Sequence, residues 1–307
     1  MRLQHHIDAL LVLDAIDRRG SFASAAEELH RATSSVTYAI QKLEEALDVK
    51  LFDRKGHRSI LTSAGEELLR DGRLLINSIQ NIEHSVKLIA SGWEAELRIA
   101  INDIVPHHHV LNVLEEFYNE TPQNTRIRLI SETFLGPWDA LISGRADFAI
   151  GIPSDVLTTN NFHSHPLGLV EFVFVVASHH PLADHYTPIG ADILRNFRAI
   201  AAADSSRVLQ PRTFGLIQDQ PVLTVPNQLV KYQAIKKGMG VGHLPRHMIE
   251  KDLNEGVLLM KNLEMDNDTK HILRFAWPSA QKGKASQWLR NRLSNEEEPI
   301  PWFSTTV

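Results

Sequence analysis

Between Thr33 and Gln41 the sequence TSSVTYAIQ carries six side chains that give or accept hydrogen bonds, Thr33, Ser34, Ser35, Thr37, Tyr38 and Gln41, and no acid. Hydroxyl, phenol and amide groups displayed together suit the reading of base edges, and a tyrosine ring adds an apolar face for a thymine methyl. Just downstream, Lys50 to Arg58 holds four basic residues (Lys50, Arg54, Lys55, Arg58) against one acid, Asp53. Such a patch grips phosphates by local Coulomb attraction without an overall basic chain. The chain is not basic: its formal net charge is −5, and residues 1–62 hold nine Lys or Arg and nine Asp or Glu.

Other chemistries find little support. The 307 residues contain no cysteine, which excludes disulfides, thiolate nucleophiles and cysteine-ligated zinc, and nothing requires an oxidising compartment. Charges recur through the first residues, and the longest apolar run, Leu169 to Ala177, is short and broken by Glu171. Neither a signal peptide nor a membrane span is expected, and the location expected is cytoplasmic. Sixteen histidines invite a metal reading. However, His107, His108 and His109 are consecutive, and His5/His6 and His179/His180 are adjacent pairs, so their side chains diverge where zinc ligands must converge. No metal is expected. Gly238, Gly240 and Gly242 follow a helix instead of opening one, against a phosphate cradle. Neither G-x-S-x-G nor H-E-x-x-H occurs, so no catalytic residue or cofactor is expected.

The elements that must hold the polar ridge follow from apolar spacing. Ile7, Leu10, Leu13 and Ile16 mark one helix, ended by Gly20. Ser24 and Glu27 have capping-box spacing for a second helix that buries Ala25, Ala26 and Leu29. Thr33 is placed to cap a third, with Val36, Ile40, Leu43 and Leu47 on its inner side. At about 100° per residue, Ser34, Tyr38 and Gln41 then point outward, flanked by Ser35, Thr37 and Lys42. Two helices joined by a turn, the second outwardly polar, match a helix-turn-helix reader. Arg54, Lys55 and Arg58 fall on a hairpin turn around Gly56, suited to phosphate or minor-groove contact.

From Thr62 to about Ser91 a heptad pattern runs through Leu68, Leu75, Ile82 and Ile89, with Ile79 and Val86 between them and Gly65 and Gly72 in earlier seam positions. This predicts a dimerisation helix with close approach of the partner near its N-terminal half; an ordinary core helix is the alternative. Beyond Trp93, short strands alternate with helices (97–101, 110–118, 126–131, near 138–143, 147–152). A second series follows (172–178, 198–202, 221–225, 228–237 and GVGHLP), then a returning strand at 271–278 and a final helix at 285–293. Two α/β lobes with the chain crossing between them leave a ligand cleft. The expected fold is an N-terminal α winged helix-turn-helix over 1–62, a linker helix over 63–91, and a C-terminal α/β two-lobed domain over 92–307. Within it, lobe I is expected at about 92–163 and 269–307 and lobe II at about 164–268.

Gly20 to Leu69 contains G-S-F-x-x-A-A-x-x-L-H, I-x-x-L-E-x-x-L, L-F-x-R and L-T-x-A-G in order. With the downstream segments ADFAIG, ASHHPLA, KKGMGVGHLP and NEGVLLM, the chain resembles the LysR-type transcriptional regulators over nearly its whole length. The resemblance implies a winged helix-turn-helix, linker helices paired antiparallel in dimers that assemble further into tetramers, and a periplasmic-binding-protein-like effector domain. It implies operator DNA, a small-molecule effector and RNA polymerase as partners, and no enzymatic activity. The DNA-contacting positions it implies fall on Thr33, Ser34, Thr37, Tyr38 and Gln41. Ala32, Thr33 and Tyr38 stand where Ser, Gln and Arg are common, so operator preference should differ from that of relatives bearing the arginine.

Matching strand ends to the family gives the effector candidates: Asn102 and Asp103, then Glu132, Thr133 and Phe134, then Gly151, and in the second lobe Ser205, Ser206 and Asn227. Trp138 is either a stacking platform or core. Asp103 and Glu132 offer acceptors, and no Arg or Lys stands at these strand ends. The expected effector is therefore neutral or donor-rich and planar, such as a nucleoside, amine or amino-aromatic compound. The rival reading is a small-molecule-binding or hydrolytic α/β protein whose N-terminal module serves only association.

Overall fold

Helical spacing of apolar residues produces α1 (Leu3–Arg19), α2 (Phe22–Glu28) and α3 (Thr33–Leu47). The computed structural model describes residues 3–53, 59–121, 125–156, 161–264 and 269–303. The chain divides into two compact units, 1–87 and 88–307. In the first, Val12, Leu13, Ile16, Ala25, Val36 and Leu51 are fully buried in one core. α1 stops where Gly20 takes φ +74°, a conformation glycine adopts without a side-chain clash.

The caps differ from the spacing-based expectation. An N-cap residue must be extended, and the extended backbone falls at Ser21 (φ −151°) and Ala32 (φ −70°). Ser21 Oγ therefore accepts from the Ser24 N–H at 3.1 Å, so Ser24 lies inside the first turn. Ala32 caps α3 with no side-chain bond, leaving Thr33 as the first helical residue. β1 (Phe52–Asp53) and β2 (Ile60–Leu61) pair antiparallel as the base of a hairpin.

α4 (Ser63–Ala90) has two faces. Leu69 and Ile76 complete the core of the first unit. The role expected of the seam glycines is corrected here, because both admit parts of their own domain. A Cβ on Gly65 would lie 2.3 Å from the Leu51 carbonyl oxygen, and one on Gly72 would lie 2.8 Å from a Leu10 methyl. The partner-facing character expected of the whole helix is confined to its later part, where Leu75, Ile82, Val86 and Ile89 are 47–65% exposed.

The second unit adds β3 (Glu96–Asn102), α5 (His107–Glu120), β4 (Arg126–Glu132), α6 (Gly136–Ile142), β5 (Phe148–Pro153), β6 (Phe162–Ala177), α7 (Ala191–Leu194), β7 (Ala199–Ala202) and β8 (Val222–Val225). α8 (Gln228–Lys236), β9 (Gly242–Pro245), α9 (Arg246–Asn254), β10 (Leu258–Met260), β11 (Lys270–Pro278) and α10 (Lys284–Leu293) follow. Lobe I is a sheet of order β6-β11-β5-β3-β4, with β3 parallel to β4 and β5 and with β11 antiparallel to its neighbours. β6 runs unbroken into lobe II, where Phe172 to Ala177 pair with β9 and β10. β7 and β8 pair in parallel, joined toward β9 by the Ala199–Val241 bridge. The crossing thus lies inside a strand, and β11 returns beside it, Phe172 N–H donating to the Thr269 carbonyl at 2.7 Å.

Candidate DNA-binding face and effector cleft

On α3 the inner stripe Val36, Ile40 and Leu43 is buried, while Thr33, Ser34, Ser35, Tyr38 and Gln41 are exposed. Tyr38 is 61% exposed, with the Lys42 ammonium 5.7 Å from its ring centre. Thr37 is half-buried and donates to the Thr33 carbonyl at 2.9 Å, so its hydroxyl is already engaged. Every Lys or Arg between residues 3 and 53 is held by an acid: Arg18 and Arg19 by Glu28, Arg31 by Asp8, Lys42 by Glu45 and Lys50 by Glu44. Lys50 is thus less available than the sequence patch suggests. The buried Glu44 carboxylate accepts from Lys50 Nζ at 2.5 Å and from the Leu51 N–H at 2.8 Å, fixing the chain where it enters β1. Arg54, Lys55 and Arg58 lie outside the described residues.

In the second unit, Asn102 ends β3 at 3% exposure and donates to the Phe134 and Gly151 carbonyls at 3.1 and 3.0 Å. Gly151 takes φ +88°, and a Cβ there would lie 2.6 Å from Asn102 Cβ. These residues are brought together, and Asn102 is the brace that does it. Asp103 Oδ2 accepts from Thr133 Oγ1 at 3.0 Å and from the Gln228 N–H of lobe II at 2.8 Å. Burial pushes this carboxyl up from its ordinary value, opposed by those two donors. Its Oδ1 and Gln228 Oε1 are buried without a donor among the described residues.

A second junction gathers Glu132, Thr133 and Ser205. Ser205 Oγ accepts from the Thr133 N–H at 2.8 Å and donates to Glu132. Arg145 pairs with Glu132 at 2.5 Å and with Asp139 at 2.9 Å. Asp139, fully buried, also accepts from the Val208 and Leu209 N–H groups at 2.8 Å each. Burial pushes its carboxyl up, but these backbone donors and Arg145 hold it below the usual carboxylate range. Ser206 packs within its own loop, donating its N–H to Asp204. Asn227 spends its side-chain oxygen capping α8.

One open reading is closed and one expectation is corrected. Trp138 is 4% exposed and edge-on to Phe162 at 4.9 Å, so it is core and offers no stacking face. The cleft is not free of cations. A cavity of about 540 Å³ between the lobes is lined by Asn102, Phe134 and Gln228, and also by Phe172, Arg212 and Lys270. Arg212 comes from the long loop between β7 and β8 and pairs with Asp155 at 2.5 Å; Lys270 opens β11. Arg212 is delivered by a loop without periodicity, and Lys270 is the first residue of a strand returning from the other lobe, outside the strand ends matched above. Among the described residues no group of three His, Asp or Glu side chains is placed to hold a metal, and no helix is long and apolar enough to cross a membrane.

Comparison with known proteins decides the family. The profile "Bacterial regulatory helix-turn-helix protein, lysR family" matches residues 7–66, and "LysR substrate binding domain" matches 90–297. The chain belongs to the LysR family. This LysR-type regulator is 37% identical over 282 residues to the probable HTH-type transcriptional regulator YhaJ of Escherichia coli, covering 92% of this chain and 93% of the relative. It is 35% identical over 293 residues to the E. coli transcriptional regulator PunR, covering 94% and 93%. Among solved structures it resembles an OxyR variant of Corynebacterium glutamicum, with TM-score 0.60 and 20% identity over 94% of this chain and 91% of that one. A probable transcriptional regulator of Pseudomonas aeruginosa gives TM-score 0.52 and 19% identity over 94% and 96%. The LysR-type regulator is thus a transcription factor with an effector-binding domain, and its relatives are regulators and not enzymes.

Proposed function

We propose that this regulator reads operator DNA with the outer face of α3 and the hairpin that follows it, and that a small molecule between the lobes of the second unit adjusts that binding. The observation that carries the first half is the exposed, acid-free ridge of Thr33, Ser34, Ser35, Tyr38 and Gln41. With the cations of residues 3–53 paired to acids, the phosphate grip falls to Arg54, Lys55 and Arg58. The uncovered later seam of α4 supports a homodimer; its further assembly into a tetramer, its action in the cytoplasm and its contact with RNA polymerase are inferred from membership of the family alone.

For the effector, Gln228 Oε1, a buried acceptor without a donor among the described residues and on a residue lining the cleft, favours a ligand that brings a hydrogen-bond donor to it, since such an acceptor costs about 1–3 kcal/mol. Phe134 and Phe172 offer apolar walls for a planar body. Arg212 is paired with Asp155 and Lys270 stands at the start of β11, so the ligand that best matches the cleft carries donors for Gln228 and at most one negative charge, placed toward Lys270.

Tyr38→Ala combined with Arg54→Ala tests the reading. Operator affinity, followed by fluorescence anisotropy, is expected to fall at least tenfold while calorimetric ligand binding persists; unchanged operator affinity overturns it. If a dimer neutralises roughly 6 to 10 phosphates, affinity should drop about 10³- to 10⁵-fold between roughly 50 and 200 mM salt. Tight binding of a simple dicarboxylate, lost on Arg212→Ala, overturns the effector assignment.

A further inference from the structure

Lobe II contains a cavity of about 490 Å³ that is separate from the cleft between the lobes, Phe214 lining both. Its walls are apolar: Phe174, Ile189, Leu194 and Ile200 come from the sheet and the segment around α7. Gly215 and Glu264 on its lining are exposed and mark the side open to solvent. One charged side chain stands among the inner residues. Lys231 of α8 is 2% exposed, its side chain passing 3.3 Å from where a Gly242 Cβ would stand. Among the described residues its ammonium makes no hydrogen bond or ion pair, and the carboxylate of Asp103 acts on it only as a more distant charge.

That arrangement is unusual on physical grounds. Burying an ammonium costs several kcal/mol unless an acceptor meets it. None of the other polar groups here is bonded to it: Gln220 donates its amide to the Leu194 and Phe197 carbonyls at 3.1 Å each, the His243 imidazole lies buried on the same lining, and Glu264 sits at the exposed edge. A methionine would fill the same stem-shaped space without the penalty. The volume falls in the range of small-molecule sites, which are apolar with a few placed polar groups.

We propose that this cavity is a second ligand site, which takes a monocarboxylic acid with an apolar body. The carboxylate meets Lys231 Nζ, and the hydrocarbon or aryl part lies among Phe174, Ile189, Leu194 and Phe214. A charge-assisted hydrogen bond to the buried ammonium supplies the preference for the acid, and burial of the apolar body supplies the rest of the affinity. The site is independent of the effector assigned to the cleft, because none of the cleft's polar groups lines it.

The experiment is calorimetry on the full-length chain with 4-phenylbutyrate and decanoate, each beside its primary amide. Either acid should bind roughly ten- to a hundredfold tighter than its amide. Lys231→Met should abolish that ratio while leaving amide binding in place, which also reports that the variant is folded. Arg212→Ala with Lys270→Ala, in the cleft, should leave the ratio unchanged. On the unaltered protein, nuclear Overhauser contacts should run from the probe methylenes to the methyls of Ile189 and Leu194. The proposal is overturned if neither acid binds, if acid and amide bind equally, if Lys231→Met keeps the ratio, or if the contacts run to Ile104 and Ile272 of the cleft.

Discussion

Lys231 and Tyr38 show opposite ways for one residue to carry information. Burial pushes the Lys231 ammonium down to about 8 from its ordinary 10.5, a displacement equivalent to about 3 kcal/mol. Between those two values the unfolded chain binds more protons than the folded one, so stability rises with pH across that window; below it the full penalty remains. Lys231→Met should therefore stabilise the protein by up to about 3 kcal/mol at neutral pH, and the gain should shrink as pH rises toward about 10.5. Urea unfolding at about pH 7 and pH 9.5 checks this; an equal gain at both would show that packing, not charge, is responsible. Tyr38 is exposed and, among the described residues, its ring meets only the neighbouring Lys42 ammonium. Tyr38→Arg should leave stability within about 0.5 kcal/mol and move the selected base toward guanine at one position of each half-site. The expected discrimination is about 1–3 kcal/mol, read by in vitro selection of operators.

Among the elements, α4 divides its work along its length, and substitutions should separate the two parts. Ile82→Glu or Val86→Glu, on the exposed seam, should weaken self-association in sedimentation without lowering the melting temperature of the first unit. Gly65→Ala should do the reverse. Alanine gains about 1 kcal/mol of helix propensity, but a Cβ 2.3 Å from a backbone carbonyl forces displacement that costs about 1–3 kcal/mol, so the net effect is destabilising. Much of this level was legible in the sequence because it is local: the apolar periods locate α3, α4 and β3 to within a few residues, and the acid-free ridge of α3 faces outward as its spacing requires. What escaped depends on contacts distant in sequence. Gly65 and Gly72 looked like partner contacts because periodicity cannot say which surface a seam meets, and Leu10 and Leu51 take that place. Arg212 reaches the cleft on a loop without periodicity, and Lys231 lies on α8, whose apolar pattern gives no sign that this one of its two lysines turns inward. α9 and β10 were not anticipated, since nothing in 246–260 alternates regularly enough to separate them.

At the scale of the second unit, several bonds hold the lobes together, and two carboxylates of lobe I take part. Asp139 receives two backbone N–H groups from the loop of lobe II and neutralises Arg145, while Asp103 receives one from the start of α8. Asp139→Ala removes a fully buried carboxylate, leaves the Val208 and Leu209 N–H groups without their acceptor and leaves Arg145 with Glu132 alone, so the unit should lose about 3 kcal/mol in denaturant unfolding. Ser205→Ala removes only the link to Glu132 and the Thr133 N–H; about 1–2 kcal/mol is expected, with a larger solution radius by small-angle scattering if the lobes part. The strand order has a further consequence for synthesis. In lobe I, β11 lies between β6 and β5, yet about a hundred residues of lobe II emerge from the ribosome before it does. Until then β5 presents a bare edge, the kind of template that recruits other chains. Lobe II draws its strands from residues 172–260 and can close first. A nascent chain arrested just before Lys270 should thus resist protease across lobe II and be cut throughout lobe I, with chaperones needed most in that interval.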